Sequence, residues 1–357
     1  MNGSPITPPA VAHSDVLDEL GAAIEAALPG AVRRNVSVAE LTTYRLGGPL
    51  AVLVRVADDE ELRVLSGMLA AGRPAGRNPS GVAPRVLVVG RGSNLLVADE
   101  GFDGLAIMLT GSFETVTPRP TERRVIAGAA APLPVVARRA AAAGLAGLEF
   151  YVGIPGSVGG AVRMNAGGHG SETRDVLHRA WVVHLDQGDD AVAVPLDAAA
   201  LDLSYRHSNL DARSVVTKVE LIANPDEPAV CEARLAEVVR WRREHQPGGS
   251  NAGSVFRNPP GDAAGRLIDA AGGKGLRVGG AVVSEKHANF FQAEPDATAA
   301  DVRDLVIAVR RLVHSATGVI LEPELQMVGF GDEPVPPLDP PLDQPLDHSH
   351  EGRGGSS

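Results

Sequence analysis

The chain of 357 residues contains a single cysteine, Cys231, and no long uninterrupted run of apolar residues. One cysteine cannot form a disulfide within the chain or a zinc–cysteine cluster, so neither is expected. No apolar run has membrane-spanning length and no basic start leads into an apolar segment, so membrane insertion is not expected. The net charge of −11 argues against a nucleic-acid partner. We therefore expect a cytoplasmic protein in which a local basic site would still allow small anionic ligands.

Glycine, by contrast, is abundant, and its densest run lies at residues 152–168. Six of these seventeen residues are glycine, a density that regular helices and strands do not tolerate well. Backbone N–H groups in such a turn can converge on an anion, commonly a phosphate. The alternative is a flexible linker, which the interleaved valine, isoleucine and methionine residues disfavour. The candidate binding residues of this run are Gly153, Ile154, Pro155, Gly156, Ser157, Gly159, Gly160, Ala161, Asn165, Ala166 and Gly167.

A shorter glycine turn lies upstream, at residues 90–94. The short apolar segment 85–89 predicts a buried strand that leads into it. The spacing begins like a dinucleotide-binding fingerprint, but Leu95 occupies the third glycine position and the segment that follows is too short for a helix. Another way of binding a pyrophosphate and a plain β-hairpin turn both stay open. The candidate residues of this turn are Gly90, Arg91, Gly92, Ser93, Asn94 and Leu95.

Strands and helices alternate irregularly along the chain, which predicts an α+β protein with several domains. The further predicted strands are 52–56, 105–109, 125–127, 181–185, 215–222 and one that begins at 319–321. The predicted helices are 58–69, 132–143, 229–244 and one that Thr298 caps and that runs through 314. Residues 1–14 and 331–357 are predicted to be disordered tails, the second because a repeated Pro-Leu-Asp motif prevents helix and sheet.

Seven segments of this chain occur in an order that one known family shares. They are 41–48, 90–96, 153–167, Ser-Tyr-Arg-His-Ser at 204–208, Ala-Gly-Ser-Val-Phe-Arg-Asn-Pro at 252–259, 279–289 and Leu-Glu-Pro-Glu at 321–324. Together they span about residues 35–330 and resemble the UDP-N-acetylenolpyruvoylglucosamine reductase family, in its shorter subtype without an inserted tyrosine loop. Two departures, Tyr44 in place of phenylalanine and Phe291 in place of an aliphatic residue, remove no reacting group.

The resemblance implies a two-subdomain FAD-binding fold of the vanillyl-alcohol-oxidase type plus a separate α+β substrate-binding domain. The implied boundaries are 15–222 for the FAD domain, with subdomains at about 35–110 and 111–222, then 229–318 for the substrate domain and 319–330 for a final strand that returns to the FAD domain. Both glycine turns become FAD contacts, and FAD is expected to be non-covalent because Cys231 lies far along the chain from them.

The implied reaction uses NADPH as the hydride donor. It reduces the enolpyruvyl group of UDP-N-acetylglucosamine-enolpyruvate to UDP-N-acetylmuramate for peptidoglycan synthesis. A monomer or weak oligomer is expected.

The resemblance assigns the chemistry to Ser254 as proton donor, to Arg206 and to Glu324. A guanidinium fork suits a carboxylate that gains charge during the reaction. Glu322 points the same way as Glu324 from a strand, and only the family pattern selects Glu324. The ordinary alternatives are a Gly-Ser turn, a surface ion pair and solvated edge carboxylates. The implied substrate-binding residues are Tyr205, Arg257, Asn258 and Arg242, with Arg243 as the alternative to Arg242 at the diphosphate.

Two other functions stay open from the residues alone. A different FAD-dependent oxidoreductase of the same fold, acting on a sugar or an alcohol, would explain both glycine turns but not the three catalytic matches. A non-catalytic nucleotide-binding relative would explain the fold but not the intact reacting residues.

Overall fold

Helices and β-sheets alternate throughout the fold, which the computed structural model describes for residues 12–71, 84–331 and 333–338. Sheets of four, five and three strands form the architecture, together with three pairs of short strands. The predicted α+β class is confirmed. Within the described ranges, no helix is both long enough and apolar enough to cross a lipid bilayer.

The first region is a four-stranded sheet with apolar side chains buried on both faces. Its elements are α1 (Ala12–Ala27), β1 (Val32–Ser37), β2 (Pro49–Val56), α2 (Asp59–Ala71), β3 (Val86–Val88), β4 (Leu95–Val97) and β5 (Phe102–Leu109). Four of the strands lie in the order β1-β2-β5-β3, parallel except for the pair of β1 and β2. Val52 and Val54 of β2 share a core with α1 and α2, whereas Leu53 belongs to a separate core, as strand alternation requires.

The second region is a five-stranded antiparallel sheet packed against α3. Its elements are β6 (Val116–Arg119), β7 (Arg124–Gly128), α3 (Leu133–Ala142), β8 (Leu145–Ala146), α4 (Val158–Arg163), β9 (Gly167–Gly168), β10 (Ser171–Glu172), α5 (Thr173–Val176), β11 (Leu177–His184), β12 (Val194–Asp197), β13 (Ser214–Ile222), β14 (Asn224–Pro225) and α6 (Pro228–His245). The strand order is β12-β11-β13-β7-β6. The strands predicted at 125–127, 181–185 and 215–222 correspond to β7, β11 and β13.

Helix α6 packs on this second region, although the sequence analysis assigns residues 229–244 to the substrate-binding domain. It contacts α3 and the short 3-10 helix Glu149–Gly153. Its two buried side chains, Cys231 and Leu235, belong to the same core as α3. Because a helix is part of the core that receives its buried face, α6 belongs with the second region rather than with the chain that follows it.

The third region is a three-stranded antiparallel sheet packed against the long helix α8. Its elements are α7 (Ala264–Ala270), β15 (Arg277–Val278), β16 (Ala281–Val283), β17 (Phe291–Ala293), α8 (Ala299–Thr317) and β18 (Gln326–Val328). Thr298 caps α8, as predicted, in a capping box with Asp301. Asp99 of the first region also accepts hydrogen bonds from the N–H groups of Ala299 and Ala300, at 2.8 and 2.9 Å. The start of α8 is therefore held from two regions.

The sequence predicts that the last strand begins at 319–321, and the structure corrects this. The carbonyl of Leu321 accepts a hydrogen bond from Arg310 Nε at 2.9 Å, and the N–H of Val319 donates to Thr317 Oγ1 at 3.2 Å. These backbone groups are bonded to side chains of α8 instead of a strand. The last strand is β18, which starts at Gln326 and pairs in parallel with β4.

Parts of both predicted tails are structured. Helix α1 includes residues 12–14, which the sequence analysis assigns to the first tail. In the second tail, the carbonyl of Pro336 accepts a hydrogen bond from Arg310 Nη1 at 2.8 Å, and Val335 packs against the core of the third region. Residues 333–338 are thus bound to the fold, and residues 1–11 and 339–357 lie outside the described residues.

Candidate active site

The turn at residues 90–94 connects β3 to β4 and carries a run of free backbone donors. None of its five N–H groups makes a hydrogen bond to any residue that the structure describes. Gly92 has a left-handed φ of 58°, and a side chain there would overlap the carbonyl oxygen of Leu41. Because β3 pairs with β5 and β4 with β18, the turn is not a β-hairpin. Consecutive free N–H groups are instead typical of a phosphate-binding concavity.

The turn at 90–94 is the first glycine turn along the chain, and the run at 152–168 is the second. The second turn meets the first at Ser157. A Cβ on Gly90 would lie 2.5 Å from Ser157 Oγ, and a Cβ on Gly156 would lie 3.3 Å from Ser93 Oγ. The N–H groups of Gly156 and Ser157 also have no partner among the described residues. We call residues 90–94 together with Gly156 and Ser157 the cradle. Its glycines leave room that side chains would fill.

Other residues of the long glycine run serve internal packing. The N–H groups of Val158 and Gly159 donate to the carbonyls of Ala131 and Ala129, at 3.1 and 2.8 Å. Gly167 lies in β9 and pairs with β10. These donors are already used by the protein and are not available to a ligand.

Asn165 is fully buried, and its side chain is used completely by the protein. Its Nδ2 donates to Glu172 Oε2 at 2.8 Å and to the carbonyl of Ser204 at 2.9 Å, while its Oδ1 accepts from the N–H of Arg174 at 2.9 Å. A cofactor contact by this side chain therefore has no donor left. Contacts stay predictions for Arg91, Leu95, Ile154, Pro155, Gly160, Ala161 and Ala166.

Strand β18 places Glu324 next to the first glycine turn. The N–H of Gln326 donates to the carbonyl of Asn94 at 3.1 Å, and Asn94 Nδ2 donates to the carbonyl of Glu324 at 3.0 Å. The first bond belongs to the parallel pairing of β18 with β4, which begins at Gln326 and Leu95, and the second adds a side-chain contact just before it. The predicted catalytic glutamate is thus attached to the predicted cofactor turn, from which it is separated by 230 positions in the chain.

Arg206 and Glu324 form a buried ion pair. Arg206 lies in a tight turn in which Ser204 and His207 exchange backbone hydrogen bonds, and it has a left-handed φ of 55°. Its Nε lies 2.5 Å from Glu324 Oε1, and the two side chains are only 17% and 13% exposed. A non-glycine residue in this conformation is strained, which is typical of functional sites.

Several polar atoms of this pair and its neighbour Arg257 have no hydrogen-bond partner in the described part of the chain. They are Arg206 Nε, whose contact with Glu324 lacks hydrogen-bond alignment, Glu324 Oε2 and Arg257 Nε. Burial raises the pKa of the Glu324 carboxyl, and the guanidinium groups of Arg206 and Arg257 oppose that rise. Buried and unsatisfied charged groups are costly, so their presence here indicates a place where a polar ligand binds.

The segment that contains Ser254 runs antiparallel beside Glu324. The N–H of Glu324 donates to the carbonyl of Val255 at 2.7 Å, and the N–H of Arg257 donates to the carbonyl of Glu322 at 2.9 Å. The Ser254 hydroxyl is half-buried and makes no hydrogen bond to a described residue. Phe256 therefore pairs with Pro323, the residue before Glu324, and Ser254 lies two residues before Phe256. The Ser254 hydroxyl is available to a ligand.

The predicted substrate residues Tyr205, Arg257 and Asn258 lie around the same pair. Tyr205 Oη accepts a hydrogen bond from the N–H of Asn258 at 3.2 Å. Arg257 Nη2 donates to the carbonyl of Arg206 at 3.3 Å. The two predicted motifs, about fifty positions apart, are thus joined directly.

Glu322 differs from Glu324 in exposure, and this separates the two carboxylates that the sequence could not distinguish. The side chain of Glu322 is 75% exposed and lies 3.9 Å from Arg257 Nη1. Only the Glu324 side chain is buried against Arg206. The structure supports Glu324 as the candidate catalytic carboxylate.

Arg242 lies against the second glycine turn. A Cβ on Gly153 would lie 2.8 Å from Arg242 Cδ. Burial lowers the pKa of this guanidinium, which has no acidic partner among the described residues. No hydrogen bond joins it to Arg206, Arg257 or Glu324 within those residues, so its predicted role toward the substrate diphosphate stays a prediction. Its neighbour Arg243 is exposed.

Two residues near the site were not identified as site residues from the sequence. Asn289 is buried and bonds both backbone groups of Phe256, at 2.9 and 2.8 Å, which fixes the segment after Ser254. The hydroxyl of Tyr44 is buried without a partner among the described residues. The only sequence signal for either was its place in a family segment.

Comparisons with known proteins first give the class of protein. Residues 83–189, which include both glycine turns, match the family described as FAD binding domain. Residues 245–328 match the family described as the C-terminal domain of UDP-N-acetylenolpyruvoylglucosamine reductase. The fold and the cradle are therefore those of a flavoprotein.

Similar proteins then give the family. A UDP-N-acetylenolpyruvoylglucosamine reductase of Acidiphilium cryptum (strain JF-5) is 44% identical over 85% of this chain and 94% of that protein. One of Rhodopseudomonas palustris (strain HaA2) is 42% identical over 87% and 97%. The crystal structure of the enzyme from Thermus caldophilus aligns with a TM-score of 0.69 at 37% identity, covering 83% of this chain and 99% of that one. The chain belongs to the UDP-N-acetylenolpyruvoylglucosamine reductase family, and the resemblance stated from its motifs is confirmed.

The cradle fits the cofactor that this family implies. FAD carries a diphosphate, and the cradle offers seven N–H groups that bond no described residue, five from the first turn and two from the second. Its glycines keep the space that a bound diphosphate needs. The prediction of an FAD-dependent oxidoreductase is confirmed by the family membership and the FAD-binding domain.

Proposed function

We propose that this protein reduces the enolpyruvyl group of UDP-N-acetylglucosamine-enolpyruvate with NADPH, giving UDP-N-acetylmuramate for peptidoglycan synthesis in the cytoplasm. The names of its relatives support this substrate, and the match of 94–97% of their length supports transfer of the whole activity. In this proposal the first and second regions bind FAD without a covalent link, since Cys231 is buried in α6, and the third region binds substrate.

The observation that carries the proposal is the buried pair of Arg206 and Glu324 beside the cradle, with unsatisfied polar atoms on both residues. A protein that only bound a nucleotide would have no need of this pair. A substrate with a carboxylate supplies the missing acceptors for arginine, and a polar hydrogen supplies a partner for Glu324 Oε2.

Bound FAD would supply the two-electron chemistry, accepting a hydride from NADPH and passing it to the vinyl carbon of the substrate. The substrate carboxylate then gains charge as an enolate. The terminal nitrogens of Arg206 make no hydrogen bond to a described residue and are free to bind that carboxylate. Glu324 orients Arg206 through its Nε, and the fixed positive charge stabilises the enolate.

Ser254 donates the proton to the carbon next to the carboxylate. A serine hydroxyl is a weak acid, so it needs a positive environment, and Arg206 and Arg257 provide two guanidinium groups on the segments that surround it. Tyr205, Arg257 and Asn258, which hydrogen bonds join to each other's segments, orient the substrate.

The test is the absorbance spectrum of the purified protein. A yellow protein should release FAD on denaturation, lose its flavin absorbance with NADPH under anaerobic conditions, and recover it when UDP-N-acetylglucosamine-enolpyruvate is added. Recovery with the enolpyruvyl substrate but not with UDP-N-acetylglucosamine would establish that the enolpyruvyl group is the oxidant. Reduction by an alcohol or a sugar in place of NADPH would contradict the proposal.

A further inference from the structure

Two asparagines that the sequence assigns to FAD contacts donate hydrogen bonds to the protein instead. Asn94 is the last residue of the turn at 90–94, and Asn165 follows α4 in the glycine run at 152–168. Each uses its side-chain Nδ2 to bond a main-chain carbonyl in a segment that carries one member of the Arg206–Glu324 pair. The two asparagines thus reach the two halves of one ion pair from the two glycine turns.

Asn94 holds Glu324 with one bond and Gln326, two residues later, with another. Its Nδ2 donates to the carbonyl of Glu324 at 3.0 Å, and its own carbonyl accepts from the N–H of Gln326 at 3.1 Å. The N–H of Glu324 is bonded on its other side to the carbonyl of Val255. The backbone of Glu324 is therefore held on both sides and has little freedom to shift.

Asn165 holds the turn that contains Arg206. Its Nδ2 bonds the carbonyl of Ser204 at 2.9 Å, two residues before Arg206. Its remaining side-chain atoms are bonded to Glu172 and Arg174, which fix its orientation. Because Arg206 is held in a left-handed conformation that costs free energy, surrounding bonds must maintain the turn.

We propose that Asn94 and Asn165 are positioning residues that hold Glu324 and Arg206 in contact beside the cradle. The inference rests on the proposed function, because it concerns the step in which substrate meets this pair. Since Asn94 belongs to the turn with five free N–H groups, a ligand that orders this turn also orders Glu324.

The first test compares the two half-reactions of Asn94→Ala by stopped-flow absorbance of the flavin. Once the variant is saturated with FAD, its reduction by NADPH should proceed at close to the wild-type rate, because Asn94 Nδ2 bonds protein and the backbone N–H groups of the cradle are retained. Reoxidation by UDP-N-acetylglucosamine-enolpyruvate should slow about 10- to 100-fold, as expected when a reacting group is misplaced. Weaker FAD binding with equal slowing of both half-reactions would instead make Asn94 a cofactor ligand.

A double-mutant cycle tests whether Asn94 acts through Glu324. In the Glu324→Gln background, Asn94→Ala should slow reoxidation far less than it does in the wild type, because the group that it positions is absent. Equal slowing in both backgrounds would show that Asn94 acts independently of Glu324.

Asn165→Ser extends the test to the Arg206 turn. It should slow reoxidation and be non-additive with Arg206→Lys, whereas a lower unfolding temperature with normal reoxidation would make Asn165 purely structural. Asn209→Ala is the matched control, because Asn209 Nδ2 also donates to a main-chain carbonyl, that of Ala200 at 2.8 Å, but in an exposed position. Asn209→Ala should leave both half-reactions unchanged.

A crystal structure of the Asn94→Ala holoenzyme tests the positioning of the ion pair without any substrate. The distance from Arg206 Nε to Glu324 Oε1 should lengthen beyond that of an ion pair, and an unchanged distance would overturn the inference. If the wild-type flavin is reduced by NADPH but not reoxidised by the enolpyruvyl substrate, the proposed function fails while this structural test still stands.

Discussion

The cradle and the Arg206–Glu324 pair are adjacent, but they are built from different parts of the chain. The cradle is formed by backbone N–H groups and by the absence of side chains at its glycines. The ion pair is formed by charged side chains that are buried and incompletely bonded. A backbone site depends on the path of the chain and is damaged by an added Cβ, whereas a side-chain site depends on a few atoms and on the residues that hold them.

The two glycine turns show the same contrast on a smaller scale. The run at 152–168 is richer in glycine, yet Val158, Gly159 and Asn165 donate their hydrogen bonds to carbonyl groups of the protein. In the shorter turn at 90–94, none of the five N–H groups bonds a residue within the described ranges. The number of free donors, rather than the density of glycine, marks the better anion site.

The largest effect is expected from Ser254→Ala, which changes the side-chain site and leaves the cradle intact. Flavin reduction by NADPH should proceed nearly normally, because the cradle is untouched. Reoxidation by the enolpyruvyl substrate should slow about 10²- to 10⁴-fold, the usual contribution of a positioned general acid. Both rates can be measured by stopped-flow absorbance.

Ser254→Cys is the control for this prediction, since a thiol can also donate a proton and should restore part of the rate. An unchanged reoxidation rate in Ser254→Ala would leave Glu324 or water as the proton donor. Equal slowing of both half-reactions would mean that the substitution had disturbed the flavin site.

The next largest effect is expected from Gly92→Ala, which changes the cradle and leaves the side-chain site intact. The added Cβ would overlap the carbonyl oxygen of Leu41 and force alanine into a left-handed conformation. Affinity for FAD, measured by fluorescence titration of the apoprotein, should fall about 10- to 100-fold. Once saturated with FAD, the variant should reoxidise at close to the wild-type rate.

Gly160→Ala is the matched control for the cradle. A Cβ there would lie 3.6 Å from Ser157 Oγ, an ordinary contact, and Gly160 has a helical position in α4. The protein itself should tolerate it or become slightly more stable. A loss of FAD affinity as large as that of Gly92→Ala would show that the cofactor lies against α4, contrary to the free-donor argument.

A smaller effect is expected at the start of α8, which is held by bonds from the first and third regions. Hydrogen bonds from Thr298 and Gly280 lower the pKa of Asp301. Asp301→Asn should reduce the free energy of unfolding by up to about 2 kcal/mol at neutral pH, because Asp301 is the N3 residue of the capping box and loses charge-assisted hydrogen bonds from Thr298 and Gly280. Because the folded-state pKa is the lower one, this stability is present above the unfolded pKa and is lost as pH falls through the folded value.

Chemical denaturation of Asp301→Asn and the wild type at pH 7 and below pH 4 would measure this difference. The gap between the two proteins should narrow at the lower pH. A gap that stayed constant would show that the Asp301 charge does not contribute to the cap.

The smallest effect is expected from Tyr44→Phe, which removes a buried hydroxyl without a partner among the described residues. Tyr44 lies in the core of the third region although it comes from the first, and burial raises its pKa. The apoprotein should gain about 1 kcal/mol in unfolding free energy, because an unsatisfied buried polar group is removed.

Unfolding with and without FAD sharpens this last prediction. A gain that disappears in the FAD-bound protein would mean that the cofactor supplies the missing partner of the Tyr44 hydroxyl. A destabilised apoprotein would contradict the absence of a partner within the fold.

Local sequence patterns determined much of the fold. Thr298 predicted the start of α8 because a hydroxyl at that position bonds the N–H of Asp301, three residues away. The apolar segments at 52–56 and 215–222 predicted strands β2 and β13. The predicted strand before residues 90–94, and a following segment too short for a helix, predicted a glycine turn there that is not part of a dinucleotide-binding fingerprint. The ordered motifs identified the family, and with it the residues of the site.

The tertiary structure alone decided which elements and side chains meet. Helix α6 belongs to the second region because Cys231 and Leu235 enter the core around α3. The last strand forms at Gln326 because β4 offers it a partner, whereas Leu321 is bonded to Arg310. Asn94 reaches Glu324 across 230 positions. A local pattern encodes bonds to neighbours in the chain, but the partner of a distant donor is fixed only when sheets and helices pack.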